Sequence, residues 1–114
     1  MQKSLLFFFL LTVSSVVFSQ DFSAVKQLAS RRVPWLSDKL VFKQISTDNG
    51  KDVFELSSLG NKIVIGASNT NAAAMGLNWY LKYYCHRSMS HLGDNLSPVK
   101  NIPHIKDAVK IVSP

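Results

Sequence analysis

The side chains able to do chemistry are few, and their spacing brings no two of them into an obvious pair. General acid–base hydrolysis asks for two carboxylates facing one another across the bond to be cut. Glu55 is the sole glutamate, and it falls mid-strand on the side opposite Phe54 and Leu56, where a carboxylate is solvated. The aspartates Asp21, Asp38, Asp48, Asp52, Asp94 and Asp107 fall at helix caps or turns, where such side chains hydrogen-bond their own backbone. A metal centre needs three or four converging ligands. Cys85-His86 followed by His91, with His104 further on, fits no ligand spacing, and no metal or cofactor is expected. Cys85 and His86 make no nucleophile–base pair either, because adjacent helical residues point about 100° apart and no third orienting group is evident. The glycines Gly60, Gly66, Gly76 and Gly93 are too dispersed to cradle a phosphate. No catalytic residue is therefore assigned.

The aromatic residues are the remaining candidates. Tyr80 and Tyr84 share a helical face with Leu77 and read as core. Trp79 and Tyr83, four residues apart, share the adjacent face. With Met75 they widen the apolar surface beyond what a chain this small can bury, the mark of a partner surface. An exposed aromatic also offers a platform for a sugar ring. Trp79, Tyr83 and Trp35 are the partner- or glycan-contact candidates.

The elements that must position these residues read as α-β-β-β-α-β. Phe22, Val25, Leu28 and Ala29 recur at helical spacing behind an Asp21 cap, Arg31-Arg32 occupy the last turn, and Pro34 stops the helix. Leu40–Ser46 is rich in strand formers, and Thr47–Lys51 carries the Asn-Gly chemistry of a tight turn. Asp52–Ser57 alternates, and Lys62–Gly66 reads as a more fully buried strand, so a three-stranded meander is expected. Ser68–Asn71 launches a helix from the alanine run at 72–74 to about Cys85–Arg87. Gly76 inside it marks a close approach to the sheet. Ser88–Leu92 reads as a short strand, and Ala108–Val112 as an edge strand or an extended tail. The fold class is α+β: a small, mostly antiparallel sheet of three to four strands with two helices on one face.

Length and composition set the frame. The chain has 114 residues, 46% of them hydrophobic and 18% charged, which excludes a disordered tail and, at this length, an eightfold barrel. Lys3 followed by the apolar run Leu5–Phe18 has the form of a secretory signal peptide over residues 1–19 and is shorter than the roughly 20 apolar residues that span a bilayer. An exported protein, periplasmic or secreted, with no membrane attachment after cleavage, is expected. Residues 20–105 form the domain, and 106–114 a linker. The lone Cys85 has no partner for a disulfide and reads as a buried small apolar side chain. The net charge of +6 is scattered along the chain, so nucleic acid is not an expected partner.

The run Ile63-Val64-Ile65-Gly66-Ala67-Ser68, followed by the helix Ala72–Cys85 with Gly76-Leu77, Tyr80-Leu81 and a terminal cysteine, resembles the N-terminal domain of the α-N-acetylglucosaminidases of glycoside hydrolase family 89. The likeness spans about residues 22–105. It departs from the family pattern at Ser88–Gly93, where a strand bearing a tryptophan would stand. The resemblance implies a small α/β unit packed on a large (β/α)-barrel. Such enzymes remove terminal α-linked N-acetylglucosamine with retention, using two glutamates that both lie in the barrel. Glu55 corresponds to neither. The implied reading is a non-catalytic accessory domain of an exported glycan-degrading enzyme, whose partners are its own barrel and, through it, glycans ending in α-linked N-acetylglucosamine. With Pro114 falling where such an enzyme passes into its barrel, the chain reads as a fragment. A free-standing carbohydrate-binding module using Trp35 or Trp79, and a secreted protein-interaction module, are the alternatives.

Overall fold

In the computed structural model, which describes residues 22–88 and 95–114, the elements run α1 (Ser23–Arg32), α2 (Pro34–Ser37), β1 (Leu40–Gln44), β2 (Val53–Leu59), β3 (Lys62–Ala67), α3 (Thr70–Tyr83) and β4 (Val109–Val112). The strands form one mixed sheet in the order β1-β3-β2-β4. β2 is antiparallel to both its neighbours, β3 and β4, whereas β1 runs parallel to β3. The architecture is the α+β arrangement expected, with the short α2 added.

Alternation decides the layering. Phe54 and Leu56 of β2 stand in register with Ala67 and Ile65 of β3, and Ile65 in turn with Phe42 of β1. These side chains face the helices, and together with Val25 and Ala29 of α1 and Ala73, Leu77 and Tyr80 of α3 they make the core. Phe22 at the start of α1 meets Phe42 at 6.0 Å between ring centroids, which seats α1 over the β1 edge, while α3 lies on β2 and β3. Glu55, half-buried on the opposite face, stands in register with Lys110 of β4 and with Gly66 of β3, beyond which Lys43 follows on β1. A carboxylate set among lysines on an open sheet face is a solvated charge row.

The expected meander is not what forms. Asn49 and Gly50 do take the positive φ values of a tight turn, 51° and 75°, but the turn closes only Asp48 on Lys51, through N–H···O bonds of 3.0 and 2.9 Å. The Ile45 N–H instead bonds the carbonyl of Ala67 at 3.0 Å and extends the ladder between β1 and β3. The physical reason lies in β3. Ile63, Val64 and Ile65 are all buried, so this strand is apolar on both faces and gains from a neighbour on each side. It inserts between the two strands that the turn connects.

Three boundaries differ as well. Pro34 does not end the helical region but takes the first position of α2, where its missing N–H is not needed. Helix α3 ends at Tyr83, and His86 reverses the chain at a positive φ of 55°. The stretch 106–114, read as a linker in which Ala108–Val112 forms an edge strand or an extended tail, takes the edge-strand form as β4: Ile111 stands opposite Phe54 and Val112 opposite Val53. The signal segment, the Asp21 cap and most of the Ser88–Leu92 strand lie outside the described residues. Within the described residues, Ser88 pairs with Asn95.

Helix α3 is launched by Asn69, whose side-chain oxygen accepts the Ala72 N–H at 2.8 Å. It then runs so close to the sheet that a Cβ on Gly76 would sit 3.0 Å from Ile65 Cγ2 and 3.2 Å from Phe54 Cδ2. Helix propensity alone would make Gly76→Ala stabilising by about 1 kcal/mol, whereas overpacking costs about 1–3 kcal/mol. We expect packing to win, with a net loss on the order of 1 kcal/mol read from thermal melts. A gain in stability would show that α3 is not held at this distance.

Candidate functional site

Helix α3 carries more apolar surface than the sheet beneath it can cover. Its inner face, Leu77, Tyr80 and Leu81, is fully buried. The flank turned toward β4 is not: Met75 is 52% and Tyr83 51% exposed. Between them Trp79 is half-buried, its ring 4.4 Å from that of Tyr83 and 5.9 Å from that of Phe54. Lys82 lies over the outer face of Tyr83, 5.2 Å from the centroid. Phe54, Met75, Trp79, Tyr83 and Ile111 line a shallow trough of about 360 Å³ between α3 and β4. It continues past Phe54, Met75 and Ile111 to Ala72, Asp52 and the stretch Val112–Pro114.

The structure thus brings Trp79 and Tyr83 together and leaves Trp35 elsewhere. The indole N–H of Trp35 donates to the carbonyl of Leu96 at 3.0 Å, tying α2 to the segment that returns from the end of α3. That segment is held at further points. Arg87 Nε donates to the Ser97 carbonyl at 2.6 Å, the Tyr80 hydroxyl to the Pro103 carbonyl at 2.5 Å, and the Ile105 N–H to Ser58 Oγ at 2.8 Å. Sequence reasoning missed Phe54 and Ile111 as the floor of the trough. The signal for Phe54 was the β2 alternation, and for Ile111 the run Val109-Lys110-Ile111 in a stretch read as an edge strand or an extended tail.

Elsewhere His86 and Asp52 serve the structure of α3. His86 is the turn residue after α3. Asp52 accepts from Asn69 Nδ2 at 2.7 Å and helps fix the start of α3. Among the described residues no three His, Cys, Asp or Glu side chains gather as a metal site would require. Cys85 is buried beside Tyr80. Burial pushes its thiol up to about 11, against the smaller opposing pulls of a hydrogen bond with Tyr80 and of the Arg87 guanidinium. Tyr80 is likewise held above the usual phenol range, chiefly by burial and next by Cys85. A thiol this reluctant to ionise is a packing group and not a nucleophile.

Among its described residues this helix-on-sheet unit gathers no metal-type cluster and carries an uncovered aromatic flank along α3. Residues 23–104 match the family described as the alpha-N-acetylglucosaminidase (NAGLU) N-terminal domain, and the chain belongs to that family. Among solved structures it is similar to a family 89 glycoside hydrolase from Clostridium perfringens in complex with 2-acetamido-1,2-dideoxynojirmycin, and to the same enzyme with PUGNAc. Each match has 34% identity and a TM-score of 0.77, covering 82% of this chain. A double variant of the Clostridium perfringens enzyme in complex with its substrate GlcNAc-alpha-1,4-galactose matches at the same values. In all three the chain spans only 11% of the solved relative. No curated protein matches it in sequence.

The raised thiol pKa sets an alkaline prediction. Below about pH 9 Cys85 is neutral whether the chain is folded or not. As pH rises toward 11 the unfolded chain releases this proton and the folded one retains it, so stability falls over that window. Melting temperatures compared at about pH 8 and pH 10 should drop in the natural chain and drop less in Cys85→Ala. An equal drop in both would place the thiol in a solvated setting.

Proposed function

We propose that this protein is the non-catalytic N-terminal accessory domain of an exported, glycan-degrading enzyme of family 89 type, and that it supports a catalytic (β/α)-barrel through the α3 flank. The observation that carries the reading is the coincidence of two facts. The chain matches an N-terminal-domain family over residues 23–104 and spans only 11% of a solved relative, and among its described residues Met75, Trp79 and Tyr83 build one uncovered apolar flank. Glu55, the one glutamate, supports the non-catalytic part: on the open sheet face it stands in a row with Lys110 and Lys43 rather than beside a second carboxylate. Removal of terminal α-linked N-acetylglucosamine is then the work of the barrel. Export rests on the form of residues 1–19.

The test is a graft of residues 22–114 in place of the corresponding domain of the Clostridium perfringens enzyme. The graft should hydrolyse an aryl α-N-acetylglucosaminide, and the free chain should not. Tyr83→Glu should lower the melting temperature of the graft and cut its activity several-fold. In the free chain the same change, on a half-exposed side chain, should cost within about 0.5 kcal/mol. Hydrolysis by the free chain, or a graft indifferent to Tyr83→Glu together with Met75→Glu, would overturn the reading. Titration of the free chain with α-N-acetylglucosamine-terminated glycans decides the binding-module alternative. Binding lost in Trp79→Ala would assign the flank to sugar, and no heat is expected.

A further inference from the structure

By strand and helix spacing, the layer has a place for one more helix beside α3. Strands lie about 4.8 Å apart and packed helices 8–10 Å apart, so each helix in a layer covers about two strands. Helix α1 sits over the β1 edge and α3 over β3 and β2, which leaves β4 and the inner side of Ile111 as the next place in the same layer. The length fits too. Helix α3 has 14 residues and extends about 21 Å, and the trough follows it from Ala72 to Tyr83.

The two ends of the trough differ in charge. Asp52 lies at the end where α3 begins, and Lys82 at the end where it finishes. A helix lying antiparallel to α3 would bring its last turn to Asp52 and its first turn to Lys82. Helices favour cations in the last turn and carboxylates in the first, so an antiparallel occupant meets both charges with the residues it carries for its own stability. A parallel one would set like charges against each other at both ends. An added strand on the free edge of β4 would leave Met75, Trp79 and Tyr83 uncovered.

We propose that the trough receives one amphipathic helix of the catalytic domain, antiparallel to α3, three to four turns long, with acidic residues in its first turn and basic residues in its last. The inference rests on the accessory-domain reading and names the element that reading leaves open. Met75, Trp79, Tyr83 and Ile111 bury its apolar stripe, while Asp52 and Lys82 set its direction.

The experiment places a photo-reactive phenylalanine at position 75, 83 or 41 of the full chain, all exposed positions. The probe is the Clostridium perfringens family 89 enzyme expressed without its own N-terminal domain, and the linked residues are read by mass spectrometry. Val41 reports the open sheet face. Positions 75 and 83 should each link to a single segment whose linked residues recur at three- and four-residue spacing. Position 75 should link nearer that segment's C-terminus and position 83 nearer its N-terminus, with little yield from position 41. Lys82→Glu should weaken capture several-fold. Links recurring every second residue, links in the opposite order, or links only to a second copy of this chain would overturn the helix. Capture through position 41 alone would overturn both the helix and the α3 flank as the seat, while leaving the assignment as a non-catalytic accessory domain intact. No link from any of the three positions overturns both.

Discussion

The closeness of α3 to the sheet is the constraint on which the rest of this structure depends. The glycine at position 76 lets the helix settle onto Ile65 and Phe54 without displacing either, and at that distance Leu77, Tyr80 and Leu81 are fully enclosed. The same contact orients the helix about its axis. With Gly76 and Tyr80 turned down, Met75, Trp79 and Tyr83 must rise along the side facing β4, because residues on a helix keep fixed angular relations. Burial of one face and exposure of the adjacent one are a single event.

The remainder of the domain braces that arrangement. Asn69 and Asp52 fix where α3 begins, and His86 turns the chain sharply where it ends. Arg87, Trp35 and Tyr80 then bind the returning segment by its carbonyls, and among the described residues no further helix precedes β4. The consequence is a layer that stops one helix short, over an edge strand whose inward residue Ile111 is only half-buried. For a free-standing protein this is an awkward surface. For the accessory domain proposed above, it would be a seat.

Much of this could be read in the amino acids, for reasons that are local. The spacing of Leu77, Tyr80, Leu81 and Tyr84, the alternation of β2 and the doubly apolar run of β3 each fixed an element and its buried face. The pairing of Trp79 with Tyr83 followed from the helix period alone. What could not be read was which strand sits beside which. Asn49-Gly50 encodes a turn but not its partners, and the competition for the flanks of β3 is decided by burial summed over the whole sheet. Strand β4 was legible only as one of two alternatives, because four residues between prolines carry little propensity of their own. They pair only because β2 presents a free edge. The floor of the trough, made by Phe54 and Ile111 across that pairing, was invisible for the same reason.

That the α3 flank is a seat for the catalytic domain is tested most directly by thermal unfolding of the full chain, followed by circular dichroism. The melt is recorded with rising concentrations of the Clostridium perfringens catalytic portion lacking its own N-terminal domain. A partner that binds only the folded chain raises the transition with the logarithm of its concentration. A midpoint that climbs in this way, and a climb abolished by Tyr83→Glu, is the predicted result. A sharp, monomeric transition that stays in place at every concentration would contradict it.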